Sequence, residues 1–170
     1  VADALSTCGK LEVARDDPRT ARTDFQEALA IRQEVFGEAH PEVACSLGNL
    51  AALCGNPGDY AKGATLYQRA IEMTDQRLGL DHPQVARLLK GLAALYVGQA
   101  MYAEAEPCLK RALAVEEATL VAFHPDLADT LDTYADVLLK LHPSDANPPA
   151  AMKKRATLIR EKHREEDQTK

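Results

Sequence analysis

The dipeptide His-Pro recurs in phase at His40-Pro41, His82-Pro83 and His124-Pro125, each 42 residues after the one before. The same step carries Ala28-Leu29 onto Ala70-Ile71 and Ala112-Leu113, Phe25 onto Tyr67 and Leu109, and Ala44 onto Ala86 and Ala128. Self-similarity at a fixed period of roughly 20 to 50 residues marks stacked units, none of which can bury its apolar face alone. Function in such an array lies on a surface and not in a catalytic pocket.

Each period holds two helical segments. The first, seen in PEVACSLGNLAALC and PQVARLLKGLAALY, places Val43, Leu47, Leu50, Ala51 and Cys54, then Val85, Leu89, Leu92, Ala93 and Tyr96, on one face. The second puts Ala64, Tyr67, Ala70, Ile71, Thr74 and Leu78 on one side, so each unit predicts a hairpin of antiparallel helices. Small residues at Gly63, Ala105, Ala51, Ala93, Ala135, Ala70 and Ala112 let the two helices cross closely. Gly37 and Gly79 are expected to end second helices in the left-handed conformation, and Val121 fills that slot in the third copy. Pro41, Pro83 and Pro125 suit the first helical position, with Asp81 or His82 as cap. Pro107 falls close enough to a helix start, at about Tyr102 or Ala103, that little hydrogen bonding is lost.

Projected backward, the step puts Ala2, Leu5, Cys8, Gly9 and Leu11 in phase with Ala44, Leu47, Leu50, Ala51 and Leu53, so Val1 begins inside a worn first copy. Projected forward it gives a charged fourth second helix, PPAAMKKRATLIREKHREEDQ, once about two residues are inserted around His142 to Pro149. The expected array spans 1–163, in units of about 1–39, 40–81, 82–123 and 124–163, with a charged tail over 164–170.

Composition narrows the function classes. With 46% apolar and 27% charged residues the chain is globular, and no run of about 18 apolar residues could span a bilayer. The first 15 residues lack a secretory profile, and the start at Val1 reads as a processed or excised piece. A net charge of −6 argues against nucleic acid and anionic lipid as partners. The basic stretch from Lys153 to Lys170 reads as a solvated capping helix with a frayed tail. Cys8, Cys45, Cys54 and Cys108 lack metal-binding spacing, and Cys54 and Cys108 fall at packing positions, so they read as buried thiols of a reducing, cytoplasmic setting. The three in-phase His-Pro histidines, His40, His82 and His124, read as turn residues and not as metal ligands or acid–base groups. Tyr60, Tyr67, Tyr96 and Tyr102 read as core. No phosphate loop, GxSxG or HExxH motif is present, so no cofactor, metal or catalytic residue is assigned and the chain reads as a non-enzyme.

The stretches RLGLDHPQVARLLKGLAALY and MYAEAEPCLKRALAVEEA resemble the tetratricopeptide repeat in its 42-residue form, that of kinesin light chains and of bacterial tandem-repeat arrays. YAEAEPCLKRALAV and RATLIREKH look more like the bacterial arrays. The resemblance implies an all-α, right-handed α-solenoid of about four helix hairpins, whose concave wall is lined by the first helix of every pair and binds peptides or protein segments. Carried over by position, the lining is Asp3, Ser6 and Lys10; Cys45, Gly48, Asn49 and Ala52; Arg87, Lys90, Gly91 and Ala94; and Asp129, Asp132, Thr133 and Asp136. The Asn pair that kinesin light chains present to cargo appears here only as Gly48-Asn49, Lys90-Gly91 and Asp132-Thr133.

Two readings of these charges stand. Arg87 and Lys90 form a basic subsite beside an acidic one of Asp129, Asp132 and Asp136, or the charges neutralise each other across adjacent units as solvated ion pairs. Two functions stand likewise: a module that holds a segment of another protein, and a structural or self-assembling part of a larger protein. The second calls for a contiguous exposed patch from residues such as Val97, Val121 and Phe123.

Overall fold

The computed structural model describes residues 1–55, 59–145 and 147–168. Among them the chain forms eight helices and no strand: α1 (Ala2–Ala14), α2 (Pro18–Phe36), α3 (Pro41–Ala52), α4 (Tyr60–Leu78), α5 (Pro83–Gly98), α6 (Tyr102–Thr119), α7 (Pro125–Leu141) and α8 (Asn147–Gln168). They pair as α1–α2, α3–α4, α5–α6 and α7–α8, and α2 packs on α3 as α6 packs on α7. The chain is an all-α helical repeat of the solenoid class. It divides into two compact units, Val1–Leu80 and Asp81–Lys170, each of two hairpins.

The His-Pro step sets the helix starts. Pro41, Pro83 and Pro125 each occupy the first helical turn, where a missing N–H is harmless. The preceding histidine is extended, and its ring caps the helix: the N–H groups of Glu42, Gln84 and Asp126 donate to Nδ1 of His40, His82 and His124 at 3.2 Å each. His82, not Asp81, is therefore the cap, and a histidine does structural work at the start of α3, α5 and α7.

Second helices end differently from the expected left-handed turn. Gly37 and Gly79 have φ of 81° and 91° but ψ of 167° and 163°, an extended conformation at positive φ that is essentially restricted to glycine. In the third copy α6 stops at Thr119 and Leu120 leaves it with φ −99° and ψ 156°, which any residue adopts. Val121 thus needs no left-handed backbone.

The small residues expected at the crossings, Ala51, Gly63, Ala70, Ala93, Ala105, Ala112 and Ala135, are all buried. Around them lie Val43, Leu47, Tyr67 and Ile71 in one unit and Val85, Leu89, Leu109, Leu127, Leu131 and Val137 in the other. Pro107 sits inside α6, where it forgoes the bond to the carbonyl of Ala103 without breaking the helix. In α8, Ala156 and Ile159 are buried where the 42-residue step from Ala112 and Val115 would have put Lys154 and Thr157, so the fourth unit carries two extra residues. Ala146, inside the stretch assigned to that insertion, lies outside the described residues, as do 169 and 170 of the charged tail.

Some packing expectations need correction. Leu78 is exposed, because it is the last residue of α4 and faces away from the hairpin. Val97 packs on the cluster of Ala93, Leu109 and Tyr134, and Phe123 on that of Leu127 and Leu131. Only Val121 of the three stands out, at 73% exposure, so they form no contiguous patch. Cys54 is buried, and burial pushes its thiol pKa up, whereas Cys108 is partly buried with the same direction and cause.

Candidate functional site

Positions 3, 6, 7 and 10 of each copy recur on one face of the first helix, a spacing of i, i+3, i+4 and i+7. In α1, Asp3 and Lys10 are exposed and Ser6 is buried. In α3, Cys45 and Asn49 are half-buried, Gly48 is buried and Ala52 exposed. In α5, Arg87 and Ala94 are exposed, with Lys90 and Gly91 half-buried. In α7, Asp129, Thr133 and Asp136 are exposed and Asp132 is half-buried.

Several of these side chains are held by the second helix of their own hairpin. Lys90 Nζ lies 2.6 Å from Glu116 Oε1. Arg160 forks onto the acidic series, Nη2 to Asp129 Oδ1 at 2.8 Å and Nη1 to Asp132 Oδ2 at 2.6 Å, and Lys153 Nζ reaches Asp136 Oδ1 at 2.6 Å. The hydrogen bonds that Arg160 and Lys153 donate to these carboxylates push their pKa values up. Thr133 spends its hydroxyl on the carbonyl of Asp129. These partners come from within each hairpin and not from the neighbouring one.

The anchor of this pairing is a position that sequence reasoning passed over. Arg32 of α2 is buried at 5% exposure and donates to Ser6 Oγ at 3.0 Å, Ser46 Oγ at 2.7 Å and Asp3 Oδ1 at 2.7 Å, with Glu42 Oε2 3.3 Å from its Nε. Steps of 42 lead from Arg32 to Thr74 and then Glu116, both buried, and with the two-residue insertion to Arg160. Where Arg32 meets Asp3, Glu116 stands in the copy that carries Arg87, so the two charges have exchanged signs. The signal was available: aligning copies by phase and asking where polar residues sit on the buried face of the second helix finds Arg32, Thr74 and Glu116.

The same phase lines a pocket in both units. One, of about 240 Å³, is walled by Asp3, Ile31, Arg32, Val35, Phe36 and Glu42. The other, of about 360 Å³, is walled by Arg87, Lys90, Glu116, Thr119, Leu120 and Asp126. Each position of the first list that recurs in the second does so 84 residues later, which is two repeat steps.

The tetratricopeptide repeat model matches residues 1–76 and 56–118. The chain belongs to the tetratricopeptide repeat family. Among solved structures, BtubC (BKLC) from P. vanneervenii superposes with a TM-score of 0.82 at 22% identity, covering 96% of this chain and 64% of that one. A putative kinesin light chain from Podosopora anserina with nearly identical repeats gives 0.79 at 17% identity, covering 94% and 75%. The apo form of RapI gives 0.79 at 16% identity, covering 99% and 58%. At these identities the likeness is one of fold, of the kinesin-light-chain-like repeat kind. The chain spans less than two thirds of the length of BtubC and of RapI. No curated protein matches it. Tetratricopeptide repeats generally mediate protein–protein interaction or scaffolding and are generally non-enzymatic. Among the described residues no helix is long and apolar enough to cross a membrane.

Proposed function

We infer that the chain is a non-enzymatic interaction module that binds a peptide or protein segment along the exposed faces of its first helices. The observation that carries this reading is on α5 and α7, the first helices of the two hairpins in one compact unit. There Arg87, Asp129, Thr133 and Asp136 stand exposed at equivalent repeat positions, with Lys90 and Asp132 half-buried beside them. Such a face offers a basic stretch and an acidic stretch on rigid helices, which suits an extended or helical segment of mixed charge. The ion pairs to Arg160 and Lys153 are solvated and worth about 0 to 1 kcal/mol each, so a partner can exchange them at little cost. In the other unit Lys10 and Asn49 occupy corresponding positions, with Ser6 and Cys45 alongside. The buried thiol of Cys54 fits a reducing, cytoplasmic setting.

The test is site-specific photocrosslinking in cells. A photoreactive residue at Thr133, on the first-helix face, is expected to give discrete adducts, while one at Lys110, exposed on the second helix α6, gives none. Adducts from Lys110 with none from Thr133 would place the working surface elsewhere.

A further inference from the structure

The geometry points to the pocket of α5, α6 and α7 as a subsite for the guanidinium of an arginine side chain supplied by the bound partner. This deepens the reading of the chain as a segment-binding module and rests on it.

The first unit supplies the template. There the pocket contains its own guanidinium: Arg32 fills the buried position and is met by Asp3, Ser6, Ser46 and, from the following helix, Glu42. Two repeat steps later the guanidinium is gone and half of its surroundings are kept. Asp126 replaces Glu42 and Thr130 replaces Ser46, while Arg87 and Lys90 replace Asp3 and Ser6, and Glu116 stands where Arg32 stood. Glu116 is buried at 4% exposure, and only one carboxylate oxygen is served: Lys90 takes Oε1, while Oε2 has no hydrogen-bond partner among the described residues. A buried carboxylate oxygen left without a donor is costly, and native structures rarely tolerate one without a use.

The pocket therefore has what a guanidinium needs. An acceptor lies at its base in Glu116, a second carboxylate at Asp126 and a hydroxyl at Thr119, around about 360 Å³ of space. The planar fork of an arginine can serve two acceptors at once, which an ammonium cannot do with the same geometry. Oε2 is covered in the chain alone, so binding includes a side-chain rearrangement, for which the unbranched, partly exposed stem of Lys90 is the candidate. Arg87 at the mouth opposes a lone cation, so the subsite favours an arginine with an acidic neighbour in the bound segment.

The experiment is an NMR titration of the full chain with acetyl-Ala-Arg-Glu-amide and with its citrulline counterpart, a neutral isostere. The arginine peptide is expected to shift the backbone amides of Glu116, Thr119, Leu120 and Asp126 and to bind at least about tenfold more tightly than the citrulline peptide. Glu116→Gln and, independently, Asp126→Asn should each erase most of that preference. Asp126 is exposed, so its variant keeps the fold even if Glu116→Gln does not. Equal binding of the two peptides, shifts confined to other helices, or an undiminished preference in Asp126→Asn would overturn the assignment. Such a failure alongside adducts at Thr133 would leave the broader reading of the chain standing.

Discussion

Cε1 of Phe25 lies 2.5 Å from where a Cβ on Gly9 would stand. The corresponding pairs are Ala51 with Tyr67 and Ala93 with Leu109, so the first copy alone lacks the methyl, and its phenyl ring occupies that space. Gly9→Ala gains about 1 kcal/mol in helix propensity and loses about 1 to 3 kcal/mol to overpacking. Denaturant unfolding should show a net loss, recovered when Phe25→Leu is added, as in the third copy.

Gly37 and Gly79 are needed for their backbone, since none of the described residues comes within 4 Å of a Cβ placed on either. Gly79→Ala should destabilise by about 1 to 3 kcal/mol through strain alone. Leu120→Gly should bring no gain, because Leu120 already sits in an extended conformation open to any residue. Thermal melts of the two variants check both.

How much was legible in advance follows from what is local. The period, the His-Pro starts and the small residues at the crossings are written in residue type at fixed spacing, and the packing agrees with them. Thr74 falls on the packed face by its spacing, but Arg32 and Glu116 were not seen, because the three positions share no residue type: Arg32 and Glu116 pair across helices with opposite charges, and Thr74 bonds to the carbonyl of Ala70 in its own helix. The exposure of Leu78 was missed for a different reason, since periodicity does not tell the last turn of a helix from its middle.

Arg32 and Asp3 should respond unequally to truncation. Arg32→Met removes a buried hub with four partners and should cost about 2 to 3 kcal/mol. Asp3→Asn alters a side chain 91% exposed and should cost about 0 to 1 kcal/mol. Urea midpoints with unchanged slopes would report the difference.

Asp17 caps α2, accepting from the hydroxyl of Thr20 at 2.6 Å and from its backbone N–H at 3.1 Å. Those bonds, the hydroxyl first, hold its carboxyl pKa below the usual value. A lowered folded-state pKa means that the unfolded chain takes up the proton first. The cap's contribution is therefore present above the ordinary carboxylate range and lost as the pH falls through and below it. Melting curves of the chain and of Asp17→Asn should converge as the pH is lowered through that window, and a gap that widens there would count against the cap.

The central claim is that equivalent repeat positions are interchangeable as sets, so that charge at the buried position is tolerated only with its own partners. Moving the set of the first unit into the second tests it directly, by unfolding Glu116→Arg alone and the triple variant Arg87→Asp, Lys90→Ser, Glu116→Arg. The single variant buries a guanidinium beside Lys90 and Arg87 and should lose about 3 kcal/mol or more. The triple variant recreates the surroundings of Arg32 and should recover to within about 1 kcal/mol of the parent chain. A triple variant no more stable than the single one would contradict the account.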